Sequence, residues 1–137
     1  MPSFTLHETL QKDCFVVGDF PLSQLLLNNE SSYPWFILVP RVPDVQEIYH
    51  LPLSKQQQLW TESRQLSEWL MKHYQGDKLN IATIGNIVPQ LHFHHIVRFQ
   101  SDRAWPKPVW GAFPSVPYPT HIAQQSIQEA RHYLQIK

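Results

Sequence analysis

Apolar residues recur along this chain at two spacings, and the spacings divide it into strands and helices. Cys14-Phe15-Val16-Val17 reads as a strand, Gly18-Asp19 as a turn, and 22–28, entered through Pro21, as the antiparallel partner. The polar run Asn28-Asn29-Glu30-Ser31-Ser32 separates that partner from Trp35-Phe36-Ile37-Leu38-Val39. This second run is almost unbrokenly apolar and of strand length, which predicts the buried centre of a sheet. Pro40 and Pro43 close it, and the connection to Tyr49 has no period. A strand over 79–84 turns at Gly85-Asn86 into a last strand over 88–99, and the two should pair as neighbours.

The longer spacing marks three helices. Leu6 and Leu10 predict a short one over 4–12, with Phe4, His7 and Gln11 on adjacent positions. Leu59, Ser63, Leu66, Leu70 and Tyr74 predict the main helix, with Ser54 and Gln57 in capping-box spacing at its start and Gly76 at its stop. Trp60 and Trp69 lie on that helix and read as core or subunit interface rather than as a ligand-stacking pair. Ala123, Ile127, Ala130 and Leu134 form one narrow stripe on a helix over 120–135, capped by Thr120. Between these helices, Pro106, Pro108, Pro114, Pro117 and Pro119 block regular structure over 104–119, a segment that Trp105 and Trp110 must anchor by burial. The sum is an α+β fold: an antiparallel sheet of about five strands with the main helix and terminal helices packed on it. No internal repeat interrupts it.

Length and charge narrow the rest. A chain of 137 residues suits a single domain over 1–137 with one core. Lys plus Arg and Asp plus Glu are eleven each, so no basic excess invites a nucleic-acid polymer. Cys14 is the one cysteine, which excludes an intramolecular disulfide, and no secretory leader or membrane-spanning run is evident. These features predict a cytoplasmic protein. Five tryptophans, the narrow final helix and the absence of net charge predict a homodimer.

The chemistry concentrates in Val88-Pro89-Gln90-Leu91-His92-Phe93-His94-His95-Ile96-Val97-Arg98-Phe99, which holds three of the eight histidines. On a strand, Gln90, His92 and His94 share one face, while Leu91, Phe93, His95, Val97 and Phe99 share the other. His95 therefore reads as a packed, hydrogen-bonded core histidine. Imidazole is a good nucleophile and leaving group near neutral pH, so a His-x-His pair fits a nucleophile with a helper, two metal ligands or a structural accident. No other segment has a matching metal-ligand spacing, and His121 and His132 are eleven positions apart, too far to ligate jointly on a helix. No metal or cofactor is expected.

The run from Asn80 to Arg98, followed by Ala104-Trp105-Pro106-Lys107-Pro108-Val109-Trp110-Gly111, resembles the histidine triad (HIT) family. The family pattern is His-φ-His-φ-His-φ-φ, with φ apolar, often followed by Arg. Anchored on Arg98, its central histidine falls on His92, its last on His94 and its first on Gln90, as in a bacterial branch whose motif begins Gln-Leu-His. Pro34 to Arg41 resembles the strand before the family's central helix, so the likeness covers about residues 12–111.

The resemblance implies a nucleotide hydrolase or nucleotidyl transferase acting at the α-phosphate of a nucleoside 5′-phosphate derivative, and a homodimer. His92 would form a nucleotidyl-histidine, His94 would bind phosphate oxygens, and Gln90 could donate a hydrogen bond but no proton. It also implies Asn86 near the phosphate and Asn29 near the ribose hydroxyls. Asn80 and Thr83 lie on the adjoining strand without an assigned role, and the apolar residues of 22–27 could wall a base pocket or pack as core. A nucleotide-binding regulatory protein without turnover is the second reading, and a metal protein using His92 and His94 the third.

Overall fold

The computed structural model describes residues 3–137, so the first two positions of the expected 1–137 domain lie outside the described residues. Five strands form one antiparallel sheet: β1 (Cys14–Asp19), β2 (Ser23–Asn28), β3 (Trp35–Pro40), β4 (Lys78–Ala82) and β5 (Phe93–Arg98), in the order β1-β2-β3-β5-β4. The helices are α1 (Glu8–Asp13), α2 (Leu53–Tyr74) and α3 (Thr120–Leu134). This is the α+β architecture that the two hydrophobic periods predict.

The central run behaves as its lack of alternation requires. All six residues of β3 are buried, because both faces of the strand are covered. Phe36 and Leu38 join Leu59, Leu66 and Leu70 of α2 and Ala123, Ile127 and Ala130 of α3 in one core. Trp35, Ile37 and Val39 join Leu6, Leu10, Val88, Ala104 and Val109 in a second core on the opposite face. The long helices therefore occupy one side of the sheet, and the N-terminal segment and the Pro/Trp-rich segment occupy the other. Each fully buried Leu contributes roughly 1.5–3 kcal/mol relative to an exposed one.

The strand 88–99 is shorter than expected: only Phe93–Arg98 is strand, and Pro89 lies in an irregular approach to it. The strand 79–84 is likewise Lys78–Ala82, and it pairs with β5 as anticipated. Gly18 and Asp19 are not a turn; they lie in β1, past a register shift between Val16 and Gly18. A Cβ on Gly18 would stand 2.7 Å from the Lys137 carbonyl oxygen, so glycine serves a close approach here. Ser54 and Gln57 do not cap α2: Pro52 is the N-cap, and its carbonyl accepts the amides of Lys55 and Gln56. The left-handed residue ending α2 is Gln75, at φ 53°, whereas Gly76 is needed because a side chain there would run into Val97. Pro119, not Thr120, precedes α3 as its cap. The first helix is Glu8–Asp13, shorter than 4–12, although Leu6 and Leu10 are both buried. Trp105 and Trp110 are half-buried, and the fully covered anchors of their segment are Ala104 and Val109.

β5 is pinned at its C-terminal end and at its middle. Arg98 is buried and bonds Asp102 through Nε at 2.8 Å and Asn80 through Nη1 at 2.9 Å, which gives Asn80 a structural partner beside the strand. His95 is fully buried, with Nε2 2.7 Å from Ser63 Oγ of α2 and Nδ1 3.0 Å from the Phe93 carbonyl. It is a core histidine, and burial lowers its pKa to about 4. Trp69 packs edge-on against Phe36, as a core aromatic does, and Trp60 against Phe93 while half-exposed.

Candidate active site

His92 precedes β5 by one residue and His94 is the second residue of that strand, so both rings leave the backbone on the face away from α2 and α3. Their centroids are 4.8 Å apart, at 72°. Both line a cavity of about 410 Å³, in the size range of small-ligand sites. Its walls come from α1 (Thr9, Leu10), the end of β2 (Asn28), β3 (Ile37) and the loop 84–88, with Trp110 and Gly111 at one side. A cavity of about 530 Å³ shares Trp110 and Gly111 with it but contains neither histidine.

Hydrogen bonding assigns each ring a different tautomer. Nδ1 of His92 lies 2.7 Å from the Gln90 carbonyl, which can only accept, so the proton sits on Nδ1 and Nε2 keeps its lone pair. Nδ1 of His94 receives the indole N–H of Trp35 at 3.0 Å, a group that can only donate, so the His94 proton sits on Nε2. One ring thus offers a lone pair and its neighbour a donor. Burial, followed by the nearness of His92 and of His95, holds the His94 pKa down at about 3. His92 is also lowered: burial and the nearby His7 outweigh the carbonyl bond that favours its charged form. Cys14 lines the same cavity, but burial and then Asp13 push its thiol up to about 12, which leaves imidazole as the competent nucleophile.

The other expected residues divide. Asn86 lines the cavity beside Gly85, whose φ of +66° shapes the loop. Gln90 does not share the open face with the two histidines: its Oε1 accepts the His7 amide at 2.8 Å and its Nε2 donates to the Thr5 carbonyl at 2.9 Å. The irregular backbone at 88–92 breaks the alternation that placed it there. Asn29 is absent from the cavity wall, and its Oδ1 instead accepts the Tyr118 amide at 2.8 Å. Asn28 lines the cavity in its place. Leu22, Leu25, Leu26 and Leu27 pack in the two cores and wall no part of the cavity. Thr83 does not reach it either.

Sequence reasoning missed Trp35, Trp110 and His7. Trp35 shares a face with Ile37, which pairs with His94 across the β3–β5 ladder, a register that no local pattern in the sequence reveals. Trp110 packs edge-on against both Trp35 and His94, at 5.7 and 5.2 Å between centroids. Among the described residues no group of three His, Cys, Asp or Glu is placed to hold a metal ion.

A HIT domain model matches residues 9–101, which hold all five strands of the sheet and both histidines. The chain belongs to the HIT family. A histidine triad protein from Marinobacter aquaeolei VT8 is 48% identical, with a TM-score of 0.95 and 98% of each chain covered. One from Bradyrhizobium japonicum is 43% identical, also at 0.95, with 97% of this chain and 99% of that one covered. A third, from Sinorhizobium meliloti, is 36% identical at 0.92, covering 95% and 96%. No curated protein matches the sequence. In this HIT chain no helix of the described residues is long and apolar enough to cross a membrane.

Proposed function

We propose that this HIT protein is a nucleotide hydrolase or nucleotidyl transferase that works through a nucleotidyl-histidine on His92. The observation that carries the reading is the pair of opposite tautomers facing one cavity. The Nε2 lone pair of His92 attacks the α-phosphorus of a nucleoside 5′-phosphate derivative. A P–N bond forms, and the bond to the leaving group breaks with its electron pair. The imidazole becomes cationic in that step, and the Gln90 carbonyl on Nδ1 is placed to accept the strengthened hydrogen bond. The Nε2–H of His94 donates to a phosphate oxygen as charge develops there, and its low pKa keeps it a neutral donor at working pH. Water then attacks the phosphorus: a P–O bond forms, the P–N bond breaks with its electron pair returning to Nε2, the proton shed by water passes to solvent, and the nucleoside monophosphate is released.

The protein's resemblance to bacterial histidine triad proteins over nearly its whole length supports a nucleotide as the ligand, with Asn28 and Asn86 as polar contacts and Leu10 and Ile37 as apolar walls. Gln90 cannot supply a proton. Leaving groups stable as anions, such as phosphate or sulfate, should therefore be expelled more readily than amines, by roughly 10²- to 10⁴-fold where protonation is needed. A homodimer is part of the same reading: β4 is an edge strand, and Ile81, Ile84 and Ile87 near it are exposed. Sedimentation at micromolar concentration tests it, and a monomer would contradict it.

The activity test is a panel of adenosine and guanosine 5′-phosphoramidates, dinucleoside polyphosphates and nucleotidyl sulfates, assayed with wild type and His92→Ala. Turnover by wild type that His92→Ala abolishes is the expected result. Equal turnover by both would end the covalent mechanism, and AMP binding without any turnover would leave a binding protein.

A further inference from the structure

The cavity of about 530 Å³ beside the histidine cavity is built wholly by residues 103–113, an irregular stretch that Pro106 and Pro108 keep out of helix and strand. The HIT domain match ends at residue 101, so this cavity is an addition to the matched domain. Its lining combines two cations, Arg103 and Lys107, with the rings of Trp105, Trp110 and Phe113, and among the described residues no carboxylate joins them there. The two cations are not equivalent. Arg103 is engaged within the fold: its Nη2 donates to Glu30 at 2.7 Å and to the Pro114 carbonyl at 2.8 Å. Lys107 is exposed and pairs with no acidic group among the described residues. Its charge is available to a ligand.

The two cavities meet at Trp110 and Gly111, which belong to both walls. Ring centroids step from His92 to His94 by 4.8 Å and from His94 to Trp110 by 5.2 Å, so a phosphate held by the two histidines has Trp110 as a near neighbour. Gly111 suits the junction twice over: its φ is +76°, and a Cβ there would project into open space rather than against protein. In an in-line displacement the leaving group lies opposite the attacking nitrogen, so it needs room outside the pair of histidines. The second cavity adjoins them and contains neither.

We propose that the 103–113 cavity is the leaving-group subsite, and that it selects a leaving group carrying both negative charge, held by Lys107, and a planar ring, stacked on Trp105 and Phe113. Small amines have neither feature, whereas a second nucleoside phosphate has both. The preferred substrate is then two nucleosides joined through a phosphate chain. The inference rests on the reading of the histidine cavity as a site of nucleotidyl transfer, and it adds the part of the substrate that departs.

Binding to His92→Ala separates the subsite from the chemistry. AMP, ATP and diadenosine 5′,5′-triphosphate are titrated calorimetrically into this protein and into the same protein carrying Lys107→Met, Phe113→Ala or Phe113→Trp. Lys107 and Phe113 are both exposed, so the fold does not depend on them. Diadenosine triphosphate should bind ~10-fold or more tightly than AMP. Lys107→Met should weaken ATP and diadenosine triphosphate by ~3- to 10-fold, an effect that shrinks as salt is added, and leave AMP unchanged. Phe113→Ala should weaken diadenosine triphosphate alone, by ~5- to 10-fold, while Phe113→Trp keeps its affinity. Equal affinity for AMP and diadenosine triphosphate, variants that weaken neither larger ligand, or losses that AMP shares in full would each overturn the proposal. Wild-type turnover of phosphoramidates through His92 alongside such titrations would leave the nucleophile standing without the subsite. The expected titrations with no adduct on His92 would leave the subsite standing without the nucleophile.

Discussion

Trp35 and His94 lie on adjacent strands, and the indole N–H of the first meets Nδ1 of the second at 3.0 Å. A tryptophan can only donate, so this contact fixes which nitrogen of His94 is left to donate into the cavity. Trp35→Phe keeps an aromatic edge against Trp110 and removes the donor. Its kcat should fall about 10- to 100-fold with little change in KM, because the lost alignment matters most as charge develops on the phosphate. Steady-state kinetics check this, and an unchanged kcat would show that His94 needs no such partner.

Acid should affect activity later than an ordinary histidine would allow. Burial and His7 place the His92 pKa below the usual 6.5, and His94 stays neutral until about 3. The acid limb of kcat/KM should therefore have its midpoint below 6.5, set by His92 rather than His94. A profile against pH with an activated substrate measures it. A midpoint above 6.5 would mean that the nucleophile is stabilised in its charged form.

Stability should respond to the same burial in the opposite sense. His95 titrates at about 4 when folded and near 6.5 when unfolded, so both states are neutral above 6.5 and the contribution is then constant. As pH falls through 6.5 the unfolded chain takes up the proton first, and folding stability declines until about pH 4. The full decline is ~3 kcal/mol for this residue, and His94 adds to it in the same direction. Urea unfolding at pH 7.5 and 4.5 tests this, and equal midpoints would contradict it.

The two neighbouring asparagines should separate cleanly. Asn28 lines the cavity and Asn29 holds the Tyr118 amide, so Asn28→Ala should raise KM for a nucleotide with little effect on Tm. Asn29→Ala should leave KM alone and cost ~1–3 kcal/mol of stability through the abandoned amide. Kinetics and thermal unfolding of both variants check the assignment, which the opposite pattern would reverse.

Much of the fold was legible because its central strand is an unbroken apolar run and its main helix carries an unambiguous period. The unbroken run at 35–39 and the stripe Leu59, Ser63, Leu66, Leu70 needed only burial to be read. The errors cluster where the backbone leaves those patterns. A strand beginning at 88 would put Gln90 on the catalytic face, but the irregular approach turns its side chain toward Thr5 and His7 instead. Gly18 and Gly76 read as turn and stop signals, but each serves a close approach to a distant segment that no local pattern reveals. Trp35 and His7 were missed for a related reason: their roles depend on strand register and on an 83-residue contact, which are tertiary facts.

The central claim is a covalent nucleotide on the Nε2 atom of His92. Wild type mixed with a nucleoside 5′-phosphate derivative, quenched in alkali, where a P–N bond to imidazole survives, and read by intact-protein and peptide mass spectrometry kept out of acid tests it most directly. One added nucleoside monophosphate, mapped to His92 and lost in His92→Ala, is the predicted result. Turnover of the same substrate with no adduct on quenching, or an adduct mapped to His94 or Cys14, would contradict it.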